Sequence, residues 1–125
     1  MKQINNQGNS IALIFQNENL PIQNQYSESF SCTNLSSVAL EISDATTCEV
    51  KVQGCVYDKD SDGKLLADND CQWTTLGLIN ASDFSVLDEA GEDGIYYLSL
   101  SGIQRVRLDI GSTTTTAKII MVSGE

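Results

Sequence analysis

The sequence predicts an all-β protein: a single antiparallel β-sandwich, jelly-roll-like, of about eight or nine strands with little helix. Three observations carry this prediction. Apolar residues alternate with polar ones at a period of two, turn residues recur about every ten positions, and no long segment carries an apolar stripe of helical spacing between caps.

The elements follow along the chain. Ile11, Leu13 and Phe15 share one face of a first strand at 10–15. In 26–33, Phe30 and Cys32 alternate with Ser29 and Ser31, and in 37–42 Val38, Leu40 and Ile42 alternate with Ala39 and Glu41. Val50, Val52 and Val56 mark 48–57; the stretch 71–79 carries Trp73. In 95–100, Tyr96 and Tyr97 point to opposite faces, so one belongs to the core and one to the surface. Val106, Leu108 and Ile110 alternate with Arg105, Arg107 and Asp109 in 104–110, and Ile119 and Met121 mark 116–122. Alternation of this kind belongs to half-buried antiparallel strands. Turn residues separate the runs at Gly8-Asn9, Leu20-Pro21, Asn34, Asp62-Gly63, Asp93-Gly94, Ser101-Gly102 and Gly111-Ser112. The best helix candidate is one turn at Ser82–Leu87, opened by Ser82 or Asp83.

A chain of 125 residues makes one domain with one hydrophobic core. Residues 26–125 form the sandwich. Residues 1–25, rich in Asn and Gln, are either a polar N-terminal arm reaching a neighbour or a first strand packed on the domain; the second reading is favoured.

Net charge is −10, from 17 acidic and 7 basic residues. So acidic a chain repels phosphate backbones and anionic lipid, so neither nucleic acid nor membrane is an expected partner. The first sixteen residues hold one Lys and an apolar run of only five, Ile11 to Phe15, which is short for a signal peptide and predicts synthesis and folding in the cytosol. The chain has no His, which removes Ser–His–Asp and Cys–His nucleophile pairs and His-containing zinc sites. Cysteines stand at 32, 48, 55 and 71 without a C-x-x-C pair. Cys55 and Cys71 lie symmetrically about Gly63, so a hairpin tipped there brings the two thiols face to face, bridged or free. Cys32 and Cys48 read as small core residues.

Five carboxylates fall within the thirteen residues from Asp58 to Asp70. Asp58, Asp60, Asp62 and Gly63 match the opening of a D-x-D-x-D-G calcium loop, in which alternate Asp side chains converge on one cation. The closing ligand does not match: Asn69 stands where a bidentate Glu belongs, and the flanks read as strands. A carboxylate pair for glycosidic chemistry needs one member against an apolar wall, and a loop rich in Asp, Asn, Lys and Ser stays wet. The favoured reading is a hydrated hairpin tip whose charges discourage edge-to-edge pairing. Asp88, Glu89, Glu92 and Asp93 form a second cluster with the same explanation.

Other residues read as structural. Gly54 within a strand permits a bulge or close backbone approach, and Gly94 and Gly102 punctuate turns. Trp73, the largest apolar group, is expected to fill the space between the sheets. Arg105 and Arg107 share the wet face of their strand and pair either with acids of this chain or with a neighbour; pairing within the chain is favoured.

The order of motifs in the second half resembles a group of small phage virion-associated β-sandwich proteins. A "VKVQGC" strand precedes "WTTLG", and "GIYYLSLSGIQRVRLDI" leads to a Thr-rich closing strand. The resemblance covers about residues 48–124 and rests on Gly54, Trp73, Leu76, Gly94, Tyr96, Tyr97, Gly102, Arg105 and Arg107. It implies a non-enzymatic virion structural protein, a capsid decoration, head–tail or tail accessory subunit, made in the host cytoplasm. Such a protein assembles with identical subunits and other virion proteins, with Arg105, Arg107 and Tyr96 as contact candidates and no cofactor beyond the calcium already weighed. A looser similarity to discoidin-like and carbohydrate-binding sandwiches implies the alternative of a carbohydrate-binding module, with Tyr57, Trp73 or Tyr96 as sugar platforms. No catalytic constellation assembles from these residues, so an enzyme is not expected.

Overall fold

The computed structural model describes the backbone of residues 5–6, 11–22, 25–32, 35–110 and 115–124, and the side chains of 25–29, 31–32, 35–45, 48–110 and 119–122. The described residues form eleven strands and one short 3-10 turn. The strands are β1 (Asn5–Asn6), β2 (Ile11–Ile22), β3 (Phe30–Ser31), β4 (Ser37–Thr47), β5 (Lys51–Cys55), β6 (Thr74–Thr75), β7 (Leu78–Asn80), β8 (Val86–Leu87), β9 (Gly94–Ser99), β10 (Arg105–Asp109) and β11 (Thr115–Gly124). They make two sheets, one of seven strands in the order β1-β2-β11-β4-β9-β7-β8 and one of four in the order β3-β10-β5-β6. Every neighbouring pair is antiparallel.

The two sheets close on a shared apolar core. Val38, Leu40 and Ile42 of β4, Leu78 of β7, Tyr96 and Leu98 of β9, and Ile119 and Met121 of β11 meet Val52 of β5 and Val106 and Leu108 of β10. The alternation predicted from sequence is what sorts these side chains inward, and burying each one contributes about 1.5–3 kcal/mol. The sandwich predicted from the sequence is the observed fold. The count exceeds eight or nine because four of the eleven strands are two residues long.

Two local features differ from expectation. The stretch 71–79 is not one strand: β6 pairs with β5 in the small sheet and β7 with β9 in the large one, so the chain changes sheets at Leu76–Gly77. The one helical turn lies at Asp68–Asp70 rather than Ser82–Leu87. Side chains explain the second change: Asn80 Oδ1 accepts from the amide and hydroxyl of Ser82, and Asp83 Oδ1 accepts from those of Ser85. These local bonds fold the segment into a loop joining β7 to β8 and compete with helix.

The chain passes from β9 to β10 through a tight turn, in which the Ile103 amide bonds the Leu100 carbonyl at 3.0 Å. Gly102 has φ +81 at the third position, which suits a type II turn and is strained for other residues.

Candidate functional site

Strand β10 organises the outer face of the four-stranded sheet. Val106 and Leu108 enter the core, so Arg105 and Arg107 point the other way; yet they are only 7% and 9% exposed. The segment between β5 and β6 covers them. Arg105 Nη1 donates to the Leu66 carbonyl at 2.7 Å and lies 3.3 Å from both Asp68 Oδ1 and Cys71 Sγ. Its Nη2 lies 3.3 Å from Asp58 Oδ2. Asp58 is 4% exposed, and Lys59 Nζ stands 3.5 Å from its other oxygen. Asp68 also accepts the Ser29 hydroxyl, and its carbonyl accepts the Trp73 indole N–H at 2.7 Å. One buried guanidinium thus holds both ends of the acidic excursion.

The tip of that excursion is a hydrated hairpin: residues 61–65 are exposed. Its base is folded down on Arg105, which lies against Asp58 and Asp68. The calcium-loop residues are engaged separately. Asp58 belongs to Arg105 and Lys59, whereas Asp60 Oδ1 accepts the amides of Asp62 and Lys64 at 2.8 and 3.0 Å. Asp62 is exposed at the tip. Among the described residues no group of three or more Asp, Glu, Cys or His is placed to hold a metal ion.

Arg107 has a different neighbourhood. Its Nε donates to Gln53 Oε1 at 2.8 Å, and its guanidinium lies 3.8 Å from the centre of the Tyr26 ring and 4.3 Å from that of Trp73. Trp73 is therefore not the plug between the sheets; it lies half-buried on the outer face of the small sheet. Register gives the reason. Thr75 pairs with Gln53, on the face of Arg107, and Trp73 shares the parity of Thr75. Among the described side chains the core aromatic is Tyr96 instead, 1% exposed, with its hydroxyl donating to the Glu92 carbonyl at 2.8 Å. Tyr96, Arg105 and Arg107 are all buried, so none of the three contact candidates offers its side chain at the surface. The outward tyrosine is Tyr97, 48% exposed. A period-two reading pairs these two tyrosines correctly but does not say which faces in.

A cleft of about 500 Å³ opens at the end of β5, lined by Gly54, Val56, Tyr57, Gln72, Thr74, Leu76 and Ile103 among others. Gly54 forms its floor as a close-approach glycine: a Cβ there would stand 3.1 Å from methyls of Leu76 and Ile103. Val56 and Tyr57 on its rim are 67% and 66% exposed. Gly94 opens β9 beside Tyr96. A second cleft, about 400 Å³, lies beside the Asp58–Arg105 pair and includes Ser29, Ser31, Lys59 and Gln104.

All four cysteines are free thiols. Burial, with help from the Asp58 charge, pushes Cys32 up to about 12, and burial with Asp93 nearby pushes Cys48 up to about 11. Burial and a hydrogen bond with the Cys55 thiol also raise Cys71. Cys55 and Cys71 are thus neighbours, as the hairpin symmetry predicts. A thiol held protonated is a poor nucleophile, so these three are packing groups in this environment.

No family model matches the chain, and no curated protein matches it. Among solved structures it is similar to the SPBc2 prophage-derived protein YomS, with a TM-score of 0.63 and 17% identity, over 92% of this chain and 91% of that one. At this identity the likeness shows a shared fold.

Proposed function

We propose that this chain is a bacteriophage structural subunit, a capsid decoration, head–tail or tail accessory protein that acts by protein–protein assembly in the particle. The observation that carries the reading is the likeness to a prophage-derived protein, in which 92% of this chain matches 91% of the other. The motif order of residues 48–124 supports the same reading from sequence. In this role the protein works by geometry. A rigid sandwich fixes the spacing of its loops and sheet faces, and its partners are other particle proteins and identical subunits. Quantitative mass spectrometry of purified particles tests it: the reading expects a fixed copy number per particle, and absence of the chain defeats it.

One observation favours a second reading, a carbohydrate-binding module. Tyr57 stands exposed at the rim of the 500 Å³ cleft, beside the amide of Gln72 and the hydroxyl of Thr74. A sugar ring stacks on such a platform while amide and hydroxyl bond its edges. A glycan array supports this reading if binding is lost in Tyr57→Ala, and an array without hits removes it.

A further inference from the structure

We infer that the outer face of the seven-stranded sheet is a docking surface for a partner protein that presents an apolar centre ringed by lysine and arginine. The inference deepens the assembly reading and rests on it for the partner's place in the particle.

The register sets the surface out. Val86, Ile79, Tyr97, Ala39 and Val122 are successive partners across β8, β7, β9, β4 and β11, one apolar row crossing five strands. At a strand spacing of ~4.8 Å the row spans roughly 19 Å. Val86, Ile79 and Tyr97 are 74%, 41% and 48% exposed. A second row on this face joins Ile95 to Glu41 and Ile120. The wet face of an antiparallel sheet is ordinarily polar, so adjoining apolar positions need a cause beyond folding. The loop from β7 to β8 carries a further exposed aromatic. Phe84 is 76% exposed and has φ +62, a backbone conformation that costs a bulky residue of order 1–3 kcal/mol. A strained, outward aromatic weakens the fold and suits a contact.

Charge commits the partner. Every cation whose side chain is described, namely Lys51, Lys59, Lys64, Arg105 and Arg107, belongs to the four-stranded sheet or to the excursion that leaves its β5 strand. Among the described side chains, the charged ones on the large sheet's face have the opposite sign. Glu92 and Asp93 line a cleft of about 370 Å³ that includes Ile95, of a size to take the end of a lysine or arginine. Glu41 lies within the second row, and Asp83 and Asp88 flank the strand that carries Val86. A second copy would bring carboxylates against carboxylates, whereas a basic rim pairs with them and leaves the apolar rows to meet a dry centre.

The test uses the full chain and two probes, an alternating Leu-Lys peptide and its Leu-Glu counterpart, followed by amide chemical shifts. The inference expects the Leu-Lys peptide to shift residues 79, 86, 95 and 97, with the Leu-Glu peptide inert. Ile79→Lys should weaken binding about tenfold or more by like-charge repulsion. Val86→Lys, at the exposed edge, should do the same without touching the core, which an unchanged melting temperature verifies. Equal binding of both peptides, shifts confined to other surfaces, wild-type affinity in both variants, or no binding would each overturn it. Absence of the chain from purified particles defeats the assembly reading instead, and the peptide result decides the surface on its own.

Discussion

Arg105→Met tests how the acidic excursion is held. Methionine keeps much of the aliphatic length and removes the charge and all the guanidinium hydrogen bonds. The variant leaves Asp58, 4% exposed, with Lys59 as its remaining charged neighbour 3.5 Å away. Removing one partner of a buried ion pair costs about 3–5 kcal/mol, because the other charge stays behind in a poor solvent. The carbonyl of Leu66 loses its 2.7 Å donor as well. Domains of this size hold roughly 5–15 kcal/mol in total. With a urea slope of about 1–3 kcal/mol per molar, the midpoint should fall by about 2 M. Trp73 is the only tryptophan and is hydrogen-bonded to Asp68, so its fluorescence reports on this region, and far-UV circular dichroism reports on the sheets. Adding Asp58→Asn should recover part of the loss, because it neutralises the stranded charge; the two substitutions should couple by about 0.5–3 kcal/mol. Asp68→Asn alone should cost about 1 kcal/mol or less, since that side chain is 43% exposed. A loss under about 1 kcal/mol for Arg105→Met, additive with Asp58→Asn, would refute the reasoning.

Arg107→Lys should cost about 0.5–2 kcal/mol in the same assay, because lysine cannot lie flat between the Tyr26 and Trp73 rings; a neutral result would deny the stacking any weight. Gly54→Val should cost about 1–3 kcal/mol, as its side chain would press on Leu76 and Ile103, and a crystal structure would show those two displaced. Phe84→Gly should leave stability unchanged or raise it by up to about 1 kcal/mol, since the left-handed backbone is relieved and little burial is lost; a clear loss would make Phe84 a folding residue. Cys32 and Cys48 bind protons more tightly in the folded chain than in the unfolded one, so their contribution to stability is complete below about pH 9. It is lost as pH rises towards their folded values of about 12 and 11. Urea midpoints measured from pH 8 to 11 should therefore decline, less steeply in Cys32→Ala.

The sandwich was legible because its rule is local: Val38, Leu40 and Ile42, or Val106 and Leu108, declare an inward face by alternation alone. The site was less legible because its partners are distant in sequence. Nothing near Arg105 announces Asp58 and Asp68, which arrive through an excursion of the other sheet strand and bury a charge that alternation assigns to water. The position of Trp73 is hidden for a related reason. Size suggests the core, but register against Gln53 sets its face, and register is a property of two strands. The apolar row on the large sheet is invisible in sequence. Val86, Ile79, Tyr97, Ala39 and Val122 adjoin only after five strands align.

The assembly reading and the carbohydrate reading expect different surfaces to be covered, and hydroxyl-radical footprinting of the chain, free and in purified particles, compares them directly. The account predicts that Tyr97, Ile79 and Val86 become protected in the particle while Tyr57 stays as reactive as in the free chain. Protection of Tyr57 with Tyr97 left open would contradict it.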